Sequence, residues 1–170
     1  MNTSEYITQF IVSKNIKHIF GYQGTMIAYL IDAIYKNSSI VNHCCYNEQG
    51  AAFAAVGYAK SSNKTGVAYA TSGPGALNLI SGVADAYYDS VPTLFITGQL
   101  NTNEYTDIPE LRQQGFQETD VVSIFSPITK DKFKSLITYW SEPGYLKLTF
   151  SNSNLNLLSR RFSKGIVPSY

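Results

Sequence analysis

The 170-residue sequence lacks several features that would define its class at once. It has no apolar stretch as long as a transmembrane helix, and no basic region followed by an apolar run at its N-terminus, so neither a membrane span nor a signal peptide is predicted. Its 13 Lys and Arg residues almost balance its 12 Asp and Glu residues, which gives no reason to expect nucleic acid or an anionic membrane as a partner. We therefore expect a cytoplasmic globular protein with one core.

Cysteine is scarce, and the two that are present, Cys44 and Cys45, are adjacent. A disulfide between neighbours is strained and rare, so we expect free thiols and a reducing compartment. Residues 40–45 read as a buried strand, in which both cysteines act as small hydrophobes. A metal site that uses His43 and Cys44 is the alternative, but a second ligand pair at a recognised spacing is missing from the sequence.

Several common catalytic and nucleotide-binding motifs are also missing. The dinucleotide fingerprint G-x-G-x-x-G fails because Asn78 stands where its third glycine is needed. The sequence contains no P-loop, no G-x-S-x-G nucleophile elbow around Ser72, and no acid-rich loop of the calcium or magnesium type. These absences argue against a dehydrogenase of that type, a P-loop nucleotidase and a serine hydrolase.

What the sequence does contain is an alternation of short apolar strands and amphipathic helices. Such spacing predicts βαβ units, and nearly continuous apolar strands predict a sheet that is covered on both faces. The fold class is therefore α/β, a doubly wound parallel sheet with helices on both faces. The predicted helices are 2–14, 25–36, 48–60, 75–88 and 119–125, and the predicted strands are 18–20, 40–45, 65–71 and 93–97.

Two of these predicted helices begin with residues that suggest chemistry. Glu48 opens an Ala-rich helix, and Gly73-Pro74-Gly75 leaves a buried strand to open the next one. In a parallel sheet both helix starts lie at the carboxyl edge, where such folds bind ligands. Taken singly, each feature also has a purely structural explanation. The helix dipole stabilises an acid in the first turn, and a Gly-Pro-Gly run makes a tight turn.

Five short motifs occur together in one order, and as a set they resemble one family. The motifs are EQGAA at 48–52, ATSGPGA at 70–76, DAYYDSVP at 85–92, ITGQ at 96–99 and FQET at 116–119. They resemble the N-terminal, pyrimidine-binding (Pyr) domain of thiamine diphosphate enzymes, most closely the acetolactate synthase branch. The resemblance covers residues 2–130, so we predict a Pyr domain at 1–130 and a divergent or truncated tail at 131–170, for which no clear strand is predicted.

The resemblance implies a cofactor and a set of site residues. In this family the glutamate that matches Glu48 hydrogen-bonds the aminopyrimidine ring of thiamine diphosphate and serves the proton transfer that activates the cofactor toward 2-keto acids. The resemblance assigns the catalytic role to Glu48 and implies contacts with the cofactor or the substrate end for the other matching positions. The cofactor-binding residues are Tyr22, Gly24, Glu48, Pro74 and Asn78, and the substrate-side residues are Phe116 and Gln117.

The family also implies partners that this chain would need. Pyr domains pair in homodimers and face a pyrophosphate-binding (PP) domain, whose Gly-Asp-Gly…Asn motif holds Mg²⁺ and the diphosphate. No Gly-Asp-Gly occurs in this sequence, so only the pyrimidine half of the cofactor is expected to bind, and the chain alone is expected to be inactive. Two alternatives stay open: a Pyr subunit of a split decarboxylase whose PP domain is a separate chain, and a non-catalytic remnant that only self-associates.

Overall fold

Strands and helices alternate from Thr3 to Gly98, as the sequence predicts. The computed structural model describes residues 2–100, 104, 108, 110–113, 115–139 and 142–150, and for 131–139 and 142–150 it describes the backbone alone. The predicted tail beyond 150 lies outside the described residues. Among the described residues the elements are, in chain order, α1 Thr3–Ser13, β1 His18–Gly21, a 3₁₀ helix Thr25–Ile27, α2 Ala28–Tyr35, β2 Val41–Cys44, α3 Glu48–Ser62, β3 Gly66–Ala70, α4 Pro74–Asn78, α5 Ile80–Tyr88, β4 Thr93–Gly98, α6 Val121–Phe125, a 3₁₀ helix Ser126–Ile128, β5 Asp131–Tyr139 and β6 Glu142–Phe150.

The sheet has the order β2-β1-β3-β4-β6-β5. The first four of these strands are parallel, with Phe20 opposite Ala68 between β1 and β3, and Ala68 opposite Phe95 between β3 and β4. The chain therefore winds outward in one direction from β1 to β2 and in the other from β3 to β4. Ligands bind most often where the strand order reverses, which here is the crevice between β1 and β3 at their carboxyl ends.

Two apolar clusters cover the two faces of the sheet, which confirms the doubly wound α/β fold. One cluster joins α1 and α2 to the sheet through side chains such as Ile11, Leu30 and Ile96. The other joins α3, α4, α5 and α6 to the opposite face, where Phe95 and Phe125 are buried among small Ala-rich helix surfaces. None of the helices in the described part of the chain combines the length and apolar character that a membrane span requires.

The prediction that residues 40–45 form a buried strand is wrong in its burial. Strand β2 is the edge of the sheet, so Cys44 is exposed and Cys45 is only partly buried. Both thiols are free, as predicted. The side chains of His43 and Cys44 point to opposite faces because neighbours alternate along a strand. His43 instead contacts His18, with 3.0 Å between His18 Nδ1 and His43 Nε2, and the described residues include no group of three His, Cys, Asp or Glu that could hold a metal ion.

A second difference concerns residues 131–150, where the sequence pattern predicts no clear strand. The backbone forms an antiparallel hairpin of β5 and β6, and β6 pairs with β4 so that Leu94 lies opposite Phe150. The parallel four-stranded sheet is thereby extended by two antiparallel strands. An antiparallel strand can be added to a sheet by a short hairpin and needs no helical crossover. The prediction of strands relied on the alternation of strands and helices, so it did not identify β5 and β6.

Candidate functional site

The start of helix α3 places Glu48 at the carboxyl edge of the sheet. Asn47 caps the helix, since its side-chain oxygen Oδ1 accepts a hydrogen bond from the Gly50 backbone N–H at 2.6 Å. The cap fixes the first turn of the helix, in which Glu48 is only 8% exposed. A buried carboxylate needs polar partners, so the surroundings of Glu48 define what this edge of the fold can do.

Asn78 supplies one such partner. Its side-chain amide Nδ2 donates a hydrogen bond to Glu48 Oε2 at 3.0 Å, across a separation of 30 residues. The other carboxylate oxygen, Oε1, lies beside Gly75, where an added Cβ would come within 3.1 Å of it. Helix α4 is short and carries Pro74 at its first turn, so the Gly75 and Asn78 positions flank the carboxylate from one turn of chain.

A second contact brings the turn after β1 close to Glu48. A Cβ on Gly24 would lie 2.3 Å from Thr71 Cβ, and a Cβ on Gly75 would lie 2.7 Å from Thr71 Cγ2. Thr71 is thus packed between two glycines, one in the turn after β1 and one in the turn after β3. These close approaches require glycine at both positions and bring the two turns together at the reversal of strand order, beside Glu48.

The remaining predicted site residues line the outside of this edge. Pro74 is exposed and Tyr22 is 41% exposed, so both side chains are accessible to a ligand. Phe116 is 67% exposed and Gln117 is exposed, and the backbone of Gln117 lies directly against Gly73. Direct contacts join Glu48 to Asn78 and Gly75, and Gly73 to Gln117.

Three residues near this edge were not predicted as site residues, although two of the five motifs contain them. Thr71 joins the two turns, and it belongs to the ATSGPGA motif. Thr97 and Gln99, from the ITGQ run, are fully or almost fully buried. The hydroxyl of Thr97 and both amide atoms of Gln99 have no hydrogen-bond partner among the described residues, which is unusual for buried polar groups.

Together, the fold and this edge define an α/β domain with a buried, hydrogen-bonded carboxylate at the switch point of a parallel sheet. Residues 1–124 match the family described as thiamine pyrophosphate enzyme, N-terminal TPP binding domain. The chain therefore belongs to this family, and the resemblance drawn from its motifs is confirmed.

Curated relatives agree with this assignment. The chain is 41% identical over 133 residues to the acetolactate synthase isozyme 2 large subunit of Escherichia coli strain K12, a match that covers 78% of this chain and 23% of the relative. It is 43% identical over 131 residues to the acetolactate synthase large subunit of Lactococcus lactis strain IL1403, covering 77% and 22%. It is 46% identical over 121 residues to the acetolactate synthase of Arthrospira platensis, covering 69% and 20%. The chain thus spans less than a quarter of the length of these relatives.

Proposed function

We propose that this chain holds the aminopyrimidine half of thiamine diphosphate, as the Pyr part of an acetolactate synthase-like enzyme that acts on 2-keto acids. The observation that carries the proposal is the carboxylate of Glu48, buried at the start of a helix and oriented by Asn78. An aminopyrimidine offers a ring nitrogen and an amino group side by side, and a carboxyl group can both accept and share a proton with such a ring. The donor set of the site therefore fits this group.

The residues around Glu48 have separate roles in the proposed site. Asn78 occupies Oε2 of Glu48 and fixes the carboxylate plane, so that Oε1 is directed to the ring. Gly75 and Gly24 allow the two turns to pack against Thr71 beside the carboxylate, since a side chain at either position would collide with Thr71. Pro74 and Tyr22 border the ring from the exposed side. Thiamine diphosphate, when bound, supplies the nucleophilic carbon and the electron sink for decarboxylation of a 2-keto acid.

In this proposal the described part of the chain forms only the pyrimidine half of the cofactor site. The described residues include no group of three His, Cys, Asp or Glu side chains that could hold a metal ion, and the family resemblance assigns the metal and the diphosphate to a PP domain. That domain belongs either to a longer form of the protein or to a separate chain. The partners are then a second copy of this chain in a homodimer and the PP domain, in the cytoplasm, where free thiols persist.

The test compares thiamine with thiamine diphosphate by amide NMR titration of the pure chain. If only the pyrimidine half is held, both compounds perturb the amides at 47–51 and 75–78, and their dissociation constants agree within about twofold with or without Mg²⁺. The isolated thiazole half of the cofactor serves as the control ligand and should shift none of these amides. Binding of the diphosphate more than about tenfold tighter than thiamine would contradict the proposal, and so would the absence of shifts with either compound.

Turnover provides the second arm of the test. With cofactor, Mg²⁺ and pyruvate, the pure chain is expected to release no carbon dioxide, because nothing in the proposed half-site holds the diphosphate. Clear turnover by the pure chain would overturn that part of the proposal. Recovery of activity on adding a second chain that carries Gly-Asp-Gly…Asn would identify a split enzyme, and self-association without any thiamine binding would identify a non-catalytic remnant.

A further inference from the structure

Two residues with left-handed backbone meet back to back beside the proposed cofactor site. Gly73 has a φ of +58° and Gln117 has a φ of +53°. The carbonyl oxygen of Gln117 lies so close to Gly73 that a Cβ added there would come within 1.9 Å of it. No side chain of any kind fits at position 73 while Gln117 keeps this place, so the contact requires glycine for its lack of a Cβ as well as for its φ.

The conformation of Gln117 needs an explanation that its own sequence does not give. A long side chain such as Gln rarely adopts positive φ, and such residues persist where the surrounding structure holds them. On its C-terminal side the segment leads into α6, which begins at Val121 with a buried side chain. Within the segment, Gly115 O accepts from Glu118 N–H at 3.3 Å and from Gln113 Nε2 at 2.6 Å, and Gln117 itself contacts Gly73 through its carbonyl.

We propose that Gly73 is a positioning residue for the segment 115–118, and that it fixes Phe116 and Gln117 relative to the turn that borders the cofactor ring. The role of that segment toward substrate rests on the proposed function. Gly73 precedes Pro74 and Gly75 in one turn, and Gly75 lies beside Glu48. A single turn of backbone therefore contacts both the carboxylate of Glu48 and the carbonyl of Gln117.

The direct test is hydrogen exchange of the pure chain with Gly73→Ala. The new Cβ must displace the Gln117 carbonyl, so the backbone amides of 115–121 should exchange at least about tenfold faster than in the wild type. The matched control is Gly57→Ala, because a Cβ at that exposed position on α3 meets nothing within 4 Å. Exchange at 115–121 that stays the same in a folded Gly73→Ala chain would overturn the proposal.

A second pair of variants keeps the proposal testable if Gly73→Ala does not fold. Gln117→Gly removes the cost of positive φ, whereas Gln117→Ala keeps it. If the contact with Gly73 holds position 117 in the left-handed region, the unfolding midpoint of Gln117→Gly should exceed that of Gln117→Ala by about 2 °C. An equal or lower midpoint would show that position 117 is not held left-handed, and would contradict the proposal.

Adding thiamine to the exchange experiment separates this inference from the proposed function. Protection at 47–51 and 75–78 in the wild type tests the binding of the ring, without reference to Gly73→Ala. A faster exchange at 115–121 in Gly73→Ala, with no protection by thiamine in the wild type, would support the positioning role and contradict the proposed function. Protection by thiamine with no effect of Gly73→Ala on 115–121 would support the proposed function and contradict the positioning role.

Discussion

Asn78→Asp places a second carboxylate against Glu48 and tests the geometry of the site without any ligand. In the wild type the Asn78 amide nitrogen lies 3.0 Å from Glu48 Oε2 and donates to it. The substitution changes that donor into an acceptor of nearly the same size. The structure therefore predicts repulsion where there is now a hydrogen bond, in a place where Glu48 is only 8% exposed.

The magnitude follows from the distance. At 3.0 Å two unit charges repel by about 1.4 kcal/mol in water and by about 5.5 kcal/mol at an effective dielectric constant of 20. Position 78 is exposed, so the new side chain can turn partly toward water, and the lost hydrogen bond adds about 1 kcal/mol. We expect the free energy of unfolding to fall by about 2 kcal/mol, which lowers the unfolding midpoint of a chain of this size by about 4–8 °C.

Thermal and urea unfolding at several pH values measure the effect. Two adjacent carboxyl groups can share one proton, so the destabilisation by Asn78→Asp should shrink as the pH is lowered from about 7 toward 4. Asn37→Asp is the matched control, because Asn37 accepts from Ser39 N in an exposed turn that an aspartate can form equally well. If Asn78→Asp were no more destabilising than Asn37→Asp at neutral pH, the reasoning about the site would be refuted.

Two further predictions concern the elements around the site. Asn47→Ala removes the cap of α3 and should lower the free energy of unfolding by about 1 kcal/mol in urea, while Asn47→Asp should keep it; equal losses in both variants would contradict the capping role. Burial, and the nearby His18 in second place, lower the pKa of His43. The folded chain therefore resists a proton that the unfolded chain accepts, so stability should fall as the pH drops below about 6.5, and His43→Gln should flatten this dependence in pH-resolved denaturation. If the stability of His43→Gln depended on pH as the wild type's does, His43 would not be the group responsible.

Local physical chemistry explains which parts of the fold could be predicted from the sequence. Helix α1 begins one residue after the predicted position, behind a reciprocal capping box of Asn2 and Glu5, and α3 begins at Glu48 as predicted. These features depend on residues within one turn of each other, so the sequence alone contains the information. The parallel four-stranded core follows from the repeated spacing of strands and helices.

Features that depend on strand order or on distant contacts could not be predicted in this way. The predicted helix 75–88 is divided at Leu79 into α4 and α5, and the predicted helix 25–36 begins as the 3₁₀ helix Thr25–Ile27. The exposure of Cys44 depends on β2 being the edge strand, which only the full topology decides. Within the site, the family resemblance indicated Glu48 and Asn78 as ring neighbours, but their mutual hydrogen bond across 30 residues was not predicted.

The measurement that tests the central claim most directly is thiamine binding by the wild type, Glu48→Gln and Glu5→Gln, followed by amide NMR at 47–51 and 75–78. Glu5→Gln is the matched control, because glutamine also completes a capping box and α1 lies outside the site. If the carboxylate of Glu48 holds the aminopyrimidine ring, Glu48→Gln should weaken binding by at least about tenfold in a folded chain, while Glu5→Gln binds as the wild type does. Equal binding by all three chains would contradict the assignment of Glu48 as the residue that holds the ring.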